Sequence, residues 1–270
     1  MPVLEATGPT QLQYSGSEER VQDAYLDDLP DNGIREALER LSELELPAED
    51  GIPLESNWHR IEINLLIDSI HHHWRGRTNY FAGGNMFIYF NINQARNRDY
   101  RGPDMFVVKE VDGTRDRDSW VLWKEDGRYP DVIVELSSPS TMVIDTGMKK
   151  VIYEKTFRTQ EYFCYDPKSK ILYGWKLVGR HYQKIEPNER NWLWSEELGL
   201  WLGAWEGSYL RVDTEWLRFY TNDEQLVPTL AEAEAQRVET EAQRADNAEA
   251  EVERLRALLQ QYQPGKPEGK

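Results

Sequence analysis

The sequence predicts a mixed α/β or α+β fold, with one central sheet flanked by helices. Three observations lead there. The elements run helix, three strands, helix, then further strands, so they are segregated rather than strictly alternating. The stretch "YPDVIVELSSPS" (129–140) joins Val132, Ile133, Val134 and Leu136 in a buried-strand pattern, yet carries Asp131 and Glu135. The formal charge of −16 over 270 residues lies mostly at the ends. Residues 1–50 hold 13 acids against 3 bases and residues 221–270 hold 11 against 6, whereas residues 51–220 are nearly balanced at 24 against 23. An ordinary core therefore fits in the middle, between polar extensions.

The first fifty residues read as an acidic arm with one amphipathic helix, in which Ile34, Leu38, Leu41 and Leu44 recur at helical spacing. After the turn signal "AEDGIP", the stretch "NWHRIEINLLIDSIHHHWRG" places Ile61, Leu65, Ile67 and Ile70 near a 3.6 period and stops at Gly76. Three strand-like runs follow: "NYFAGGNMFIYFN", "GPDMFVVKEV" and "PDVIVELSS". The glycines of "AGGNMF" lack the spacing of a phosphate loop and predict a bulge or a close backbone approach. A second helix is expected over 146–157, with Asp145 as its N-cap and Met148, Val151, Ile152 and Lys155 at i, i+3, i+4 and i+7. The runs "EYFCYDP", "ILYGWKLVG" and "HYQKIEP" then continue the sheet.

Five of the ten Trp residues (192, 194, 201, 205 and 216) fall between 191 and 220, where alternating apolar neighbours point to packing rather than to base stacking. From 229 to 263 the chain has neither Gly nor Pro. Heptad a positions Val252 and Leu259 with d positions Leu255 and Tyr262 give a seam only in the last half. This predicts a C-terminal coiled coil, with a second copy of the chain as candidate partner, or else a single solvated helix. Residues 264–270, "PGKPEGK", are expected to be disordered.

No apolar run reaches the roughly 18–20 residues that span a bilayer, and the N-terminus carries no secretory pattern, so a soluble, cytoplasmic protein with no membrane partner is expected. Cys164, the single cysteine, excludes an internal disulfide and sits in an apolar run as a buried structural thiol. Successive residues of the "HHH" at 71–73 point about 100° apart on a helix and cannot converge on zinc. Arg96, Arg98 and Arg101 form a basic cluster that either meets phosphates or lines a solvated loop.

The carboxylates carry the chemistry. Asp131 and Glu135 share a strand face but stand roughly 13 Å apart at 3.3 Å per residue, whereas the oxygens around one Mg²⁺ all sit about 2.0–2.1 Å from it. The mate for Glu135 is therefore sought on an adjacent strand about 4.8 Å away, and Asp104 in "GPDMFVV" is placed to be it, leaving Asp131 to organise the start of its own strand. Such a pair holds a divalent cation able to polarise a phosphoryl oxygen. A lysine then offsets charge building on the phosphate. The position two residues after Glu135 is Ser137, but Lys149 on the second helix, four residues before Tyr153, lies where it can lean over the strand ends. A solvated lysine is the alternative.

The combination of "PDMFVV", "PDVIVELSSPST", "DTGMKKVIY" and "EYFCYDP" resembles the Uma-two family of restriction endonucleases within the PD-(D/E)XK nuclease superfamily, over about residues 51–185. The resemblance implies a restriction-endonuclease-like core and a Mg²⁺ (or Mn²⁺) dependent nuclease site acting on DNA. In it Asp104 and Glu135 bind metal and Lys149 replaces the strand lysine. Glu55, with His59 nearby, is the candidate acid from the first helix. The organisation expected is an acidic arm (1–50), a restriction-endonuclease-like domain (51–220), a C-terminal helix or coiled coil (226–263) and a tail (264–270). Competing readings are a non-catalytic nuclease-fold protein assembling through its C-terminal coiled coil, and hydrolysis of RNA or another phosphodiester.

Overall fold

The computed structural model describes residues 56–91, 102–138 and 141–261. The expected N-terminal helix, Glu55, the Arg96, Arg98 and Arg101 cluster and the 264–270 tail lie outside the described residues.

Helix α1 (Asn57–His73) begins where the sequence places it, with the Ser56 hydroxyl accepting the His59 amide at 3.2 Å. The side-chain oxygen satisfies one of the amides that a helix start leaves orphaned. The chain turns away past Gly76, whose φ of +88° lies in the left-handed region. Next come strands β1 (Tyr80–Gly83), β2 (Ile88–Tyr89), β3 (Met105–Lys109), β4 (Trp120–Val121) and β5 (Val132–Leu136). The aromatic run 79–91, read as one strand, breaks in two at Gly84. A Cβ there would stand 2.5 Å from the Asp104 carbonyl oxygen and 2.4 Å from the Ile63 side chain, so only glycine lets the chain lie so close. β2 consequently leaves the main sheet and pairs in parallel with β4.

The second helical segment runs from 142 to 157, α2 below. Asp145 is not its N-cap, contrary to the sequence expectation. The Ser138 carbonyl accepts the Met142 amide and the Thr141 hydroxyl accepts the Ser138 amide, so the helix starts earlier and Asp145 is buried within it. Two stretches, Asp145–Lys149 and Tyr153–Phe157, are wound in wider π-type turns. Such turns are rare and concentrate at functional sites.

After α2 come β6 (Glu161–Asp166), β7 (Ile171–Val178) and β8 (His181–Lys184). The main sheet has the order β1-β3-β5-β6-β7-β8, with only β5 and β6 parallel. A parallel pair needs a crossover, and α2 supplies it. A three-stranded antiparallel sheet follows, β9 (Leu193–Ser195), β10 (Leu200–Tyr209) and β11 (Val212–Tyr220). The five tryptophans lie in or next to it. Trp216 is fully buried and Trp192 stacks on Tyr220 at 3.8 Å, which makes both packing residues.

Alternation along β5 sorts the core into two layers. Val132, Val134 and Leu136 pack with Ile63, Leu66 and Ile70 of α1 and with Leu202, Leu217 and Phe219 of the smaller sheet. Ile133 faces Tyr153 and Phe157 of α2 together with Tyr162 and Cys164. Glu135 shares that second face, so a carboxylate points into the layer between sheet and α2.

Helix α3 (Leu230–Gln261) opens on a reciprocal cap, in which the Thr229 hydroxyl accepts the Glu232 amide at 3.1 Å and Glu232 accepts the Thr229 amide at 2.8 Å. The guanidinium of Arg218, wholly buried, grips both oxygens of Glu232 at 3.1 and 2.7 Å. Beyond this anchor α3 carries no buried residue. Among the described residues no helix is long and apolar enough to cross a membrane.

Candidate active site

The antiparallel register pairs Met105 with Val134, so Asp104, one residue before β3, stands opposite Glu135. Asp104 is held on both sides. One oxygen accepts the Leu136 amide at 2.7 Å and the other lies 2.7 Å from His59 Nε2. The Gly84 backbone lies against its carbonyl, and the Asn85 amide donates there at 3.1 Å.

Glu135 is fully buried. Its Oε1 accepts the Tyr153 hydroxyl at 2.7 Å and its Oε2 lies 3.0 Å from Lys149 Nζ. The same ammonium is 2.9 Å from Asp145 Oδ1, while Asp145 Oδ2 accepts the Ser137 hydroxyl at 2.8 Å. Lys149 thus bridges two carboxylates, one from the sheet and one from its own helix a turn earlier.

Burial pushes the Glu135 carboxyl up to about 8, with Asp104 and Asp145 pushing the same way against Lys149 and Tyr153. Burial also works against the charge on Lys149, but Glu135, Asp145 and Asp104 outweigh it and hold the ammonium well above its ordinary range. The Cys164 thiol, 2.7 Å from the Ser137 hydroxyl, is pushed up to about 12 by burial, which leaves it a packing group rather than a nucleophile.

The donor set fits a divalent cation. Asp104, Glu135 and Asp145 bring hard carboxylate oxygens to one end of the sheet, and a bound cation would favour the ionised form that burial opposes at Glu135. Among the described residues no group of three or more His, Cys, Asp and Glu side chains is arranged around one point. Mg²⁺ needs no such cage, because it keeps several waters and takes one or two carboxylates.

The structure therefore brings Asp104, Glu135 and Lys149 together, while Glu55 lies outside the described residues. Sequence reasoning missed Asp145 as a third carboxylate and Tyr153 as the partner of Glu135. The signal was there in the spacing of Asp145, Lys149 and Tyr153, each four residues from the next along one side of a helix. His59, noted only as a neighbour, is the group that holds Asp104.

Fold and site together define a class: a restriction-endonuclease-like α+β protein, whose central mixed sheet carries an acid pair at the ends of adjacent strands and whose crossover helix carries a lysine. The model of the Uma2 family, described as "Putative restriction endonuclease", matches residues 38–213, and the chain belongs to that family. Among solved structures, one described as "a putative nuclease belonging to DUF820 from Anabaena variabilis" is similar, with 12% identity, a TM-score of 0.40, and coverage of 60% of this chain and 89% of that one. A comparison with curated proteins finds no match.

Proposed function

We propose that the protein is a divalent-metal-dependent DNA endonuclease with Asp104 and Glu135 as the metal ligands, Mg²⁺ or Mn²⁺ as the metal and Lys149 as the electrostatic assistant. The observation that carries this reading is the 3.0 Å contact between Lys149 Nζ and Glu135, beside Asp104. It supplies from α2 the cation that Ser137 does not supply from the strand.

A divalent cation bound between these carboxylates would polarise a phosphoryl oxygen and make a nearby water more acidic. Lys149, kept protonated by its acidic neighbours, offsets charge that builds on the phosphate or orients the attacking water. Asp145 fixes the lysine from below, Tyr153 fixes Glu135, and His59 fixes Asp104. Glu55, immediately before the α1 cap, is a further candidate acid.

Purified protein is expected to nick or cleave DNA in Mg²⁺ or Mn²⁺, and Asp104→Ala to abolish cleavage; a variant as active as the wild type would overturn the assignment. Parallel assays on RNA decide between the nucleic acids.

A second element of the proposal is self-association through α3. Its exposed Val252, Leu255, Leu258 and Leu259 cluster in the last three turns, where the heptad seam was read. Sedimentation of the full chain against a chain ending after Thr229 tests it.

A further inference from the structure

A cavity of about 200 Å³ adjoins the cluster, lined by Ser56, Trp58, His59, Leu136, Ser137, Ser138, Pro167 and Lys168. Its back wall is the site itself. His59 reaches Asp104, Ser137 reaches Asp145, and the Leu136 amide donates to Asp104. None of the lining residues is a carboxylate, although two carboxylates, Asp104 and Asp145, stand immediately behind them. His59 and Ser137 are turned to Asp104 and Asp145, so the lining residue that offers a charge to an anion is Lys168. The volume falls below the roughly 300–1,000 Å³ of small-molecule pockets and suits a single phosphate-sized group.

Lys168 is the lysine of this wall. Its neighbours Lys149 and Lys170 each lie against a carboxylate. Lys168 makes no ion pair among the described residues, and its side chain is exposed. Its backbone is nevertheless fixed. Asp166, buried, accepts the Lys168 amide at 2.9 Å and the Ser169 hydroxyl at 2.7 Å, and Pro167 restricts the turn between them. The facing wall is rigid too, since Trp58 stacks on Trp216 at 6.1 Å and 15°. A preorganised cleft with one uncommitted ammonium, beside acids that repel a polyanion, is what a backbone phosphate needs in order to approach.

We propose that this cavity receives a phosphodiester group of the DNA backbone next to the one being cleaved, with Lys168 as its binding residue. The proposal rests on the nuclease reading above and deepens it. Each phosphate neutralised by a lysine contributes close to one unit to the slope of log affinity against log salt, which a merely structural side chain does not alter.

The test is binding of a short labelled DNA duplex to the full chain in EDTA over a salt series, for the wild type, Lys168→Ala, Lys168→Arg and Lys184→Ala. Lys184, exposed on β8 at the far edge of the sheet, controls for loss of a surface charge. Lys168→Ala is expected to weaken binding several-fold and flatten the slope by about one unit. Lys168→Arg should restore the slope and Lys184→Ala should leave it unchanged. In Mg²⁺ the alanine variant should raise KM and leave kcat near wild type. A wild-type slope in Lys168→Ala overturns the proposal, as does a wild-type protein that does not bind DNA. The two readings fail separately. Cleavage that depends on Asp104 with an unchanged Lys168→Ala slope sinks the pocket alone. A Lys168-dependent slope in a protein that never cleaves sinks the nuclease alone.

Discussion

The two ends of β5 hold clusters of nearly the same composition and opposite character. At one end Asp131 and Glu161 lie near Glu197 and Lys109, three acids and a lysine. At the other, Asp104, Glu135 and Asp145 lie around Lys149, again three acids and a lysine. In the first cluster the buried oxygens are satisfied by neutral donors. Asp131 accepts the Lys109 amide at 2.7 Å, and Glu161 accepts the Glu196 amide at 2.7 Å and the Ser195 hydroxyl. The lysine there pairs outward with Glu197. In the second cluster Glu135 and Asp145 share the Lys149 ammonium, and Asp104 lies between the Leu136 amide and His59. Acid content therefore does not distinguish the two ends; what differs is whether an ammonium or neutral donors meet the buried oxygens.

Glu135→Gln is expected to have the largest effect. The substitution keeps shape and an acceptor for Tyr153 but removes the ionised oxygens, so cleavage should fall by ~10²–10³-fold or more while the melting temperature changes little. Loss of the fold instead would make Glu135 an architectural residue like its counterparts at the far end.

Glu161→Gln is the mirror experiment. Burial pushes the Glu161 carboxyl up to about 7 from an ordinary 4.5. Below about 4.5 the folded and unfolded chains both hold the proton. As pH rises from there the unfolded chain ionises first, so stability contributed by this group declines up to about pH 7 and is flat above it. That loss is about 3 kcal/mol over the window, read from denaturant melts at several pH values. Glu161→Gln should flatten it and leave cleavage intact.

Asp131→Ala comes next. It strips the Lys109 amide of its acceptor and should lower stability by about 1–3 kcal/mol without altering activity. Its contact with Arg128, at 3.9 Å and half exposed, adds little. Tyr153→Phe carries the smallest effect. The hydroxyl lowers the Glu135 pKa by donating to its anion, so losing it should move the acid limb of the pH–activity profile to higher pH. An unmoved limb would separate Glu135 from the ionisation that governs activity.

Much of this was legible in the sequence. Asp104 as the mate of Glu135 followed from strand pitch and separation, since two residues four apart on one strand cannot share an ion while two on adjacent strands can. α1 ended near its glycine because backbone preference is local, and its N-cap serine is a local signal of the same kind. The Asp145 assignment failed for a corresponding reason. An aspartate ahead of an apolar period is a sound cap signal, but Ser138 and Thr141 had already begun the helix, and the sequence does not say which of two adjacent candidates wins.

Element order, the alternation that buries Glu135, and the acid pair are all written into the chain by periods of two and 3.6 residues and by the reach of a side chain. Only the folded chain shows that Lys149 bridges Glu135 and Asp145 rather than standing in solvent, that His59 holds Asp104 across 45 residues of chain, and that Lys168 rims a cavity free of carboxylates. Those outcomes depend on how α1, α2 and the β6–β7 turn dock onto one sheet end. Docking is fixed by packing among residues distant in the chain, which no local pattern encodes.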